Sequence, residues 1–322
     1  MYLLEILKTQ STFEPRVEGG KHFVPWDPQK LTLIAGMGGS RLAGGLLSNL
    51  EGKCAVQMFS GFDLPKSTFR DRLPVIVSSA SGDVPETLSN FDTACQEQLP
   101  VAVVGRGGRL MQRAIEHDAP RVAYPDIGVP PRESVVHSLL GHLSIFGMTE
   151  EIAAVRHAVG TLDSNAIDTI SSEICNAVRG KQVILYGPDS LEGLMRVWKI
   201  NLNETARVPA FISLLPEALH GEIAAFDGSE STNLLSSNVV VLFITTPDID
   251  IRMRHRIDVL RQTLSDFRIQ ETVLSLPTSS WEGTVFGIAS SMVVAHQLRD
   301  EQGISRDGAN LIATFKSKTI NS

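Results

Sequence analysis

The stretch LTLIAGMGGS at residues 31–40 decides the fold class of this chain. Its first five residues are mostly apolar and predict a short strand buried on both faces, because a strand with one solvent-exposed face would alternate polar and apolar residues. The run GMGGS then predicts a tight turn, in which small residues allow close approach to the backbone and the next helix begins with free N–H groups. A buried strand, a glycine turn and a helix in this order indicate an α/β protein with a parallel sheet.

The same alternation of short strands and helices continues along the rest of the chain. The predicted strands form two series, Leu31–Ala35, Ala55–Phe59, Val75–Ser79, Val101–Val104 and Arg121–Tyr124, and then Gln182–Tyr186, Ala210–Leu214, Val239–Thr245 and Glu271–Leu276. The predicted helices lie at 40–50, 85–97, 109–117, 134–160, 163–178, 190–204, 248–266, 282–300 and 307–317. Such alternation predicts parallel sheets joined by right-handed crossovers. Because the pattern restarts near residue 180 after two consecutive helices, we predict two domains over 1–150 and 151–322.

The composition limits the partners that this chain of 322 residues can have. A formal net charge of −7 argues against nucleic acid, whose phosphate backbone requires a basic surface. The three cysteines, Cys54, Cys95 and Cys175, are far apart, so that neither a disulfide framework nor a metal site is indicated. Residues 1–9 are too short and too charged for a signal peptide, and no stretch reaches the roughly 18 apolar residues of a transmembrane helix. We therefore expect a cytoplasmic protein with no membrane partner.

Two loops after predicted strands have features of anion-binding sites. The first, GMGGS at 36–40, lacks the third glycine of the dinucleotide fingerprint because Arg41 stands there, and no Lys-Ser or Lys-Thr pair follows as in a nucleotide P-loop. In the second, SASGDVPET at 79–87, the hydroxyls of Ser79 and Ser81 are spaced to approach an anion at the start of the next helix. A tight turn without a ligand in the first loop and helix capping in the second are the alternatives.

Two further segments carry residues suited to acid–base chemistry. Glu204 lies near the end of a predicted helix in the segment NETARVPAF, and His220 follows sixteen residues later. Such a carboxylate and imidazole form an acid–base pair in principle, while a solvated Glu and a structural His are the alternatives. Arg132, which follows the residues VPP, is suited to stabilising a phosphate or an oxyanion, and a surface Arg paired with Glu133 is the alternative.

Taken in order, these motifs resemble one family of proteins, the bifunctional phosphoglucose/phosphomannose isomerases, which are built from tandem sugar isomerase (SIS) domains. The motifs that carry the resemblance are GMGGS, SASG, GGRL, PPR, NETARVPAF and PEALHGE, and the resemblance runs from about residue 31 to the end of the sequence. It implies an α/β protein of two SIS domains, each a parallel sheet of about five strands flanked by helices. It also implies a homodimer with its active site between domains and subunits, a sugar phosphate as substrate, and no metal or other cofactor.

The resemblance further implies the aldose–ketose isomerisation of a hexose 6-phosphate through a metal-independent cis-enediol intermediate. It makes Glu204 the base that moves a proton between C2 and C1, and His220 the group that helps to open the sugar ring. Arg132 and Lys316 are implied to stabilise negative charge on the substrate oxygens. The residues implied to bind the phosphate are Gly39, Ser40, Ser79 and Ser81.

The phosphate loop departs from the family pattern SxSGNTxET. Asp83 adds a negative charge beside the expected phosphate, and Val84 replaces a hydroxyl. A pair of like charges about 4 Å apart costs roughly 1–4 kcal/mol near a surface, unless Asp83 points away or Arg41 neutralises it. In HGE at 220–222 the Asn of the usual HNE triplet is also lost. Three functions stay open: a phosphoglucose/phosphomannose isomerase, an isomerase for a different phosphosugar, and a regulatory SIS protein that binds a sugar phosphate without turnover.

Overall fold

The structure of the protein is a computed structural model that describes residues 2–48, 50, 52–227, 232–305 and 310–320. The strands are β1 (Thr32–Gly36), β2 (Val56–Phe59), β3 (Val75–Ser79), β4 (Val101–Gly105), β5 (Arg121–Ala123), β6 (Gln182–Pro188), β7 (Ala210–Leu215), β8 (Val239–Thr245) and β9 (Gln270–Ser275). The helices are α1 (Tyr2–Ser11), α2 (Leu42–Leu47), α3 (Lys66–Arg70), α4 (Pro85–Gln96), α5 (Gly108–Glu116), α6 (Val135–Ile145), α7 (Thr149–Gly160), α8 (Ser164–Val178), α9 (Glu192–Glu204), α10 (Asn233–Ser237), α11 (Ile251–Asp266), α12 (Trp281–Glu301) and α13 (Asn310–Ile320). Short 3₁₀ turns lie at Gly38–Arg41, Pro131–Glu133, Asp189–Leu191, Glu217–His220 and Glu222–Phe226.

The strands form two sheets in which the neighbouring strands are parallel. The first sheet has the order β2-β1-β3-β4-β5, and the second has the order β7-β6-β8-β9. The direction of winding reverses between β1 and β3 and again between β6 and β8, and ligands of such sheets bind at the carboxyl ends of the strands at this reversal. The predicted fold class of two tandem parallel α/β units is therefore confirmed. The second sheet has four strands within the described ranges, where the resemblance implied about five.

The apolar core joins the two sheets. One face of the first sheet packs on α4 and α5 through residues such as Val77 and Phe91, and one face of the second packs on α11 through residues such as Phe243. The opposite faces of the sheets contribute to a single cluster that includes Ile34 and Leu242. Helix α2 follows β1 of the first sheet and helix α9 follows β6 of the second, and these two helices contact each other between the sheets. The domain boundary near residue 150 stays a prediction.

The observed strands agree with the predicted ones to within two residues, while one predicted helix is divided and the helices α1, α3 and α10 were not predicted. The single helix predicted over 134–160 is two helices, α6 and α7, because Gly147 has a φ of +64° and ends the first of them. Helix α1 was not predicted, although its Leu4 and Leu7 lie on one buried face. Within the described ranges, none of the helices has both the length and the apolar content that crossing a bilayer requires.

Candidate active site

The two predicted anion-binding loops are joined by hydrogen bonds at the carboxyl ends of β1 and β3. The main-chain N–H of Ala80 donates to the Ser40 hydroxyl at 2.8 Å, and the Ser78 hydroxyl donates to the main-chain oxygen of Ser40 at 2.9 Å. Ser40 is buried, with 8% of its surface exposed. Its hydroxyl therefore connects the two loops to each other.

The second loop uses its two predicted serines differently. Ser79 is buried, and its hydroxyl accepts a hydrogen bond from the main-chain N–H of Gly82 at 3.1 Å. Ser81 is exposed, and its hydroxyl accepts from the main-chain N–H of Asp83 at 3.3 Å. Helix α4 begins directly after Val84, whose side chain offers no capping hydrogen bond. Ser81 and the first turn of α4 are therefore the parts of this loop that an anion can reach.

Asp83 is paired with Arg109 and not with Arg41. The Nε atom of Arg109 lies 3.0 Å from Asp83 Oδ1, and the main-chain N–H of Arg109 donates to the same oxygen at 3.2 Å. The hydrogen bond from the Arg109 side chain, and to a smaller extent the one from its main-chain N–H, hold the pKa of Asp83 below its ordinary value. Arg41 lies instead beside Arg196 and Glu192 of α9: burial and then the charge of Arg196 lower its pKa, while Glu192 raises it. The suggestion that Arg41 neutralises Asp83 is therefore wrong.

The turn that carries Arg132 packs directly against the first loop at Gly39. A Cβ atom added to Gly39 would lie 2.5 Å from the main-chain nitrogen of Arg132 and 2.8 Å from the carbonyl carbon of Pro131. Glycine is therefore required for the 3₁₀ turn Pro131–Glu133 to approach this loop. This contact brings the first anion-binding loop and Arg132 into one site.

Arg132 and Glu204 form the centre of the candidate site. Arg132 Nη1 lies 3.1 Å from Glu204 Oε2, and Arg132 Nε donates to the Thr205 hydroxyl at 2.7 Å. The Arg132 side chain is 18% exposed and the Glu204 side chain is 34% exposed, so that both are partly shielded from water and still accessible to a ligand. A carboxylate that removes a proton and a guanidinium that stabilises the resulting negative charge suit proton transfer beside a carbonyl group.

The other residues of NETARVPAF fix the end of α9 that carries Glu204. Asn203 Oδ1 accepts a hydrogen bond from the main-chain N–H of Ala210 at 2.8 Å, and Arg207 Nη1 donates to the main-chain oxygen of Glu204 at 2.6 Å. Arg207 has a φ of +57°, which lies in the left-handed region. The motif therefore gives the Glu204 carboxylate a defined position at the end of its helix.

His220 lies away from this cluster. Glu204 ends the helix before β7, whereas His220 is an exposed residue at the end of the 3₁₀ turn after β7. This strand of six residues spans about 17 Å at roughly 3.3 Å per residue, so that the two residues lie at opposite ends of it. Lys316 is on α13, and its side chain is outside the part of the structure that is described.

The sequence analysis missed three residues in or next to the site, namely Thr205, His296 and Arg106. Thr205 binds the Nε atom of Arg132, and the place of this threonine in the NETARVPAF motif was the signal that could have revealed it. Glu133, suggested as a surface partner of Arg132, is buried and instead contacts His296 Nε2 at 2.8 Å. Arg106 binds the segment that carries Arg132. His296 and Arg106 gave no signal, because their contacts depend on how α12 and the loop after β4 pack.

Two cavities lie elsewhere on the molecule. One, of about 720 Å³, is at the amino ends of β6 and β7 and includes Arg179, Lys181 and Arg207 in its lining. The other, of about 310 Å³, is at the carboxyl ends of β8 and β9. Neither cavity is lined by Arg132 or Glu204. The candidate site is therefore identified by the chemistry of its side chains and not by the presence of a large cavity. In the part of the chain that the structure describes, no three His, Cys, Asp or Glu side chains lie close enough together to hold a metal ion.

Comparison with known proteins gives matches over most of the chain. Residues 167–289 match the family model of the bacterial phospho-glucose isomerase C-terminal SIS domain. The bifunctional phosphoglucose/phosphomannose isomerase of Aquifex aeolicus (strain VF5) is 27% identical over 293 residues, which is 87% of each chain. The D-glucosamine-6-phosphate 4-epimerase of Sulfolobus acidocaldarius is 28% identical over 204 residues, or 62% of this chain and 65% of the relative. The solved structure of a hypothetical protein from Thermus thermophilus shares the fold, with a TM-score of 0.71 and 14% identity over 100% of this chain and 88% of that chain.

The fold is that of two tandem SIS-like α/β units, and the matched family model covers the second of them. Within that class, the chain is similar to the bifunctional phosphoglucose/phosphomannose isomerases, several of which match 67–87% of its length. The resemblance first seen in the motifs is therefore confirmed. The epimerase is a relative of comparable identity that is named for a different reaction, so that the reaction has to be argued from the site.

Proposed function

We propose that the protein is a sugar-phosphate isomerase that interconverts glucose 6-phosphate or mannose 6-phosphate with fructose 6-phosphate. The observation that carries this proposal is the Glu204 carboxylate, 3.1 Å from the guanidinium of Arg132, whose turn packs against the loop after β1. The relatives named bifunctional phosphoglucose/phosphomannose isomerase support the same class of reaction.

In the proposed reaction, Glu204 removes the proton from C2 of the open-chain aldose, and the electron pair of that C–H bond forms the double bond of a cis-enediolate. Arg132, with Lys316 as a second cation, stabilises the negative charge on the substrate oxygens. Protonated Glu204 then returns its proton to C1 while the hydroxyl proton moves from O2 to O1, which gives the ketose. The electron pair and the protons stay within the substrate and Glu204, so that the reaction balances without a redox partner.

The phosphate is proposed to bind at the two joined loops. Ser81 and the first turn of α4 supply accessible donors, and the main chain of Gly39 completes the set. Ser40 and Ser79, whose hydroxyls bind main-chain groups, hold the loops in shape. The pairing of Asp83 with Arg109 supports this assignment, because it offsets the negative charge that would repel a phosphate.

The protein is proposed to act as a homodimer in which the ring-opening group of each site is His220 of the partner subunit. The support for this proposal is the position of His220 at the opposite end of β7 from Glu204, too far to serve the same sugar within one chain. His220 is also exposed in the single chain. A residue that contacts the substrate of a neighbouring subunit has to be exposed in this way.

A second candidate function is a reaction on a different phosphosugar. Asp83 and Val84, which alter the phosphate loop, and the relative named D-glucosamine-6-phosphate 4-epimerase favour it. Binding of a sugar phosphate without turnover is the remaining alternative.

An enzyme-coupled assay with fructose 6-phosphate, detecting glucose 6-phosphate and mannose 6-phosphate separately, tests the proposal. We expect turnover that persists in EDTA, and we expect Glu204→Gln to lower kcat by about 10²–10⁴-fold because the general base is lost. Glu173→Gln, which changes an exposed acid on α8, is the matched control and should keep full activity.

Three other results, from this assay and from companion measurements of thermal stability and of other substrates, would contradict the proposal. Full activity in Glu204→Gln would refute the assigned base. Thermal stabilisation by fructose 6-phosphate without turnover would select the binding protein. Turnover of glucosamine 6-phosphate alone would select the second candidate.

A further inference from the structure

We infer that Arg106 is a positioning residue that holds Arg132 beside Glu204. This inference rests on the proposed function, because it concerns the cation that is proposed to stabilise the enediolate. Arg106 follows β4 directly and lies outside every segment to which the sequence analysis gave a catalytic role. Its side chain is only 13% exposed, which indicates a specific set of partners for a residue that is usually solvated.

Arg106 contacts the segment 126–134 at three points. Its Nη2 atom donates to the main-chain oxygen of Val129 at 2.8 Å and to the hydroxyl of Ser134. Its Nη1 atom donates to the carboxylate of Asp126 at 3.1 Å. Val129 and Ser134 flank the 3₁₀ turn in sequence, so that one guanidinium fixes both ends of the turn.

The segment belongs to neither sheet and contains a single short 3₁₀ turn, which packs against Gly39. Gln10 Nε2 donates to the main-chain oxygen of Glu133 at 2.6 Å, and the Glu133 carboxylate contacts His296 Nε2 at 2.8 Å. Both contacts hold the residue that follows Arg132. Before Arg132, the side chain of Val129 is buried in the core, and Arg106 supplies the hydrogen bonds to Asp126 and to the main chain of Val129.

The chemistry of this position requires an arginine. The planar guanidinium directs several N–H groups at fixed angles and can bind its three partners at once, which the single ammonium group of lysine cannot do in the same geometry. The guanidinium carbon also lies 5.9 Å from the ring centroid of the buried Tyr124. Among the described residues, no recorded hydrogen bond joins Arg106 to Arg132 or Glu204, so that its effect passes through the segment.

A double-mutant cycle tests this role. We expect Arg106→Met to lower kcat by about tenfold to a hundredfold, because small displacements of a catalytic group have effects of this size. Arg106→Lys should recover part of the loss. In an Arg132→Lys background, Arg106→Met should cost less than about threefold, since the residue it positions is already altered. The matched control is Arg113→Met, which breaks an arginine–carboxylate pair with Asp92 elsewhere in the same domain and should keep kcat.

Amide hydrogen exchange supplies a readout that does not depend on activity. The amides of Gly128, Glu133 and Ser134 are hydrogen-bonded within the segment. Arg106→Met should accelerate their exchange by about tenfold or more, and Arg113→Met should not. If the wild-type protein isomerises no hexose phosphate, the proposed function fails while this arm still decides the positioning. Unchanged exchange in Arg106→Met, or equal losses of kcat in both backgrounds, would overturn the inference.

Discussion

Among the individual side chains near the site, Asp83 has the least expected position, because an acid lies where a phosphate is proposed to bind. The hydrogen bonds from Arg109 lower its pKa, so that the carboxylate is ionised at neutral pH. We expect Asp83→Asn to lower KM for the sugar phosphate about fivefold, because it removes a negative charge and frees Arg109 to face the phosphate. This size corresponds to a screened charge contact of roughly 1 kcal/mol. Steady-state kinetics at low ionic strength measure the change.

The control for this substitution is Asp92→Asn. Asp92 of α4 pairs with Arg113 of α5, so that it joins the same two helices away from the loop, and its loss should leave KM as it is. A KM that rises in Asp83→Asn would show that the Asp83–Arg109 pair shapes the loop for its ligand, contrary to the expectation.

At the level of the loops and turns, the contact between Gly39 and the Arg132 turn determines how the site is assembled. Gly39→Ala places a methyl group 2.5 Å from a main-chain nitrogen, which can move only if the whole turn moves. We expect kcat to fall about a hundredfold, because Arg132 is displaced from Glu204, while the protein stays folded. Kinetics and the far-UV circular dichroism of the variant check both parts.

Gly160→Ala is the matched control for Gly39→Ala. Gly160 ends α7, and an added Cβ atom there would meet nothing within 4 Å. This variant should keep both kcat and stability. A Gly39→Ala protein with normal kcat would show that the turn carrying Arg132 can shift without consequence for the reaction.

The elements themselves were predictable where burial dominates the local sequence. β3 and β8 have the predicted bounds because continuous apolar residues mark a strand covered on both faces. Helix α1 was not predicted, since it precedes the first strand and therefore lies outside the alternation of strands and helices from which the other helices were predicted. Glu204 and Arg132 could be named from their motifs, but their contact could not, because it arises from the packing of α9 against the first half of the chain.

In the fold as a whole, Glu204 and His220 lie at opposite ends of β7, and this separation makes the proposed homodimer testable. We expect Glu204→Gln and His220→Ala to be strongly impaired alone and to recover about a quarter of wild-type activity after subunit exchange. Half of the randomly mixed dimers then contain both chains, and each of these has one site with both residues intact. The isomerase assay before and after exchange measures the recovery.

A mixture of Glu204→Gln with Arg132→Met is the control for this experiment. Both residues lie in one site of one chain, so that each site of a mixed dimer keeps a defect and activity should not return. If the mixture of Glu204→Gln and His220→Ala also stays inactive, His220 does not act across a subunit boundary.

The apolar cluster that joins the two sheets sets how the gene can be divided. A gene fragment ending at residue 150 would encode α2 without the α9 surface that covers it, and Ile34 without the far side of its cluster. Such a polypeptide would present a large apolar surface to water and aggregate. The two halves, each with a sheet of its own, therefore have to be encoded together in order to fold.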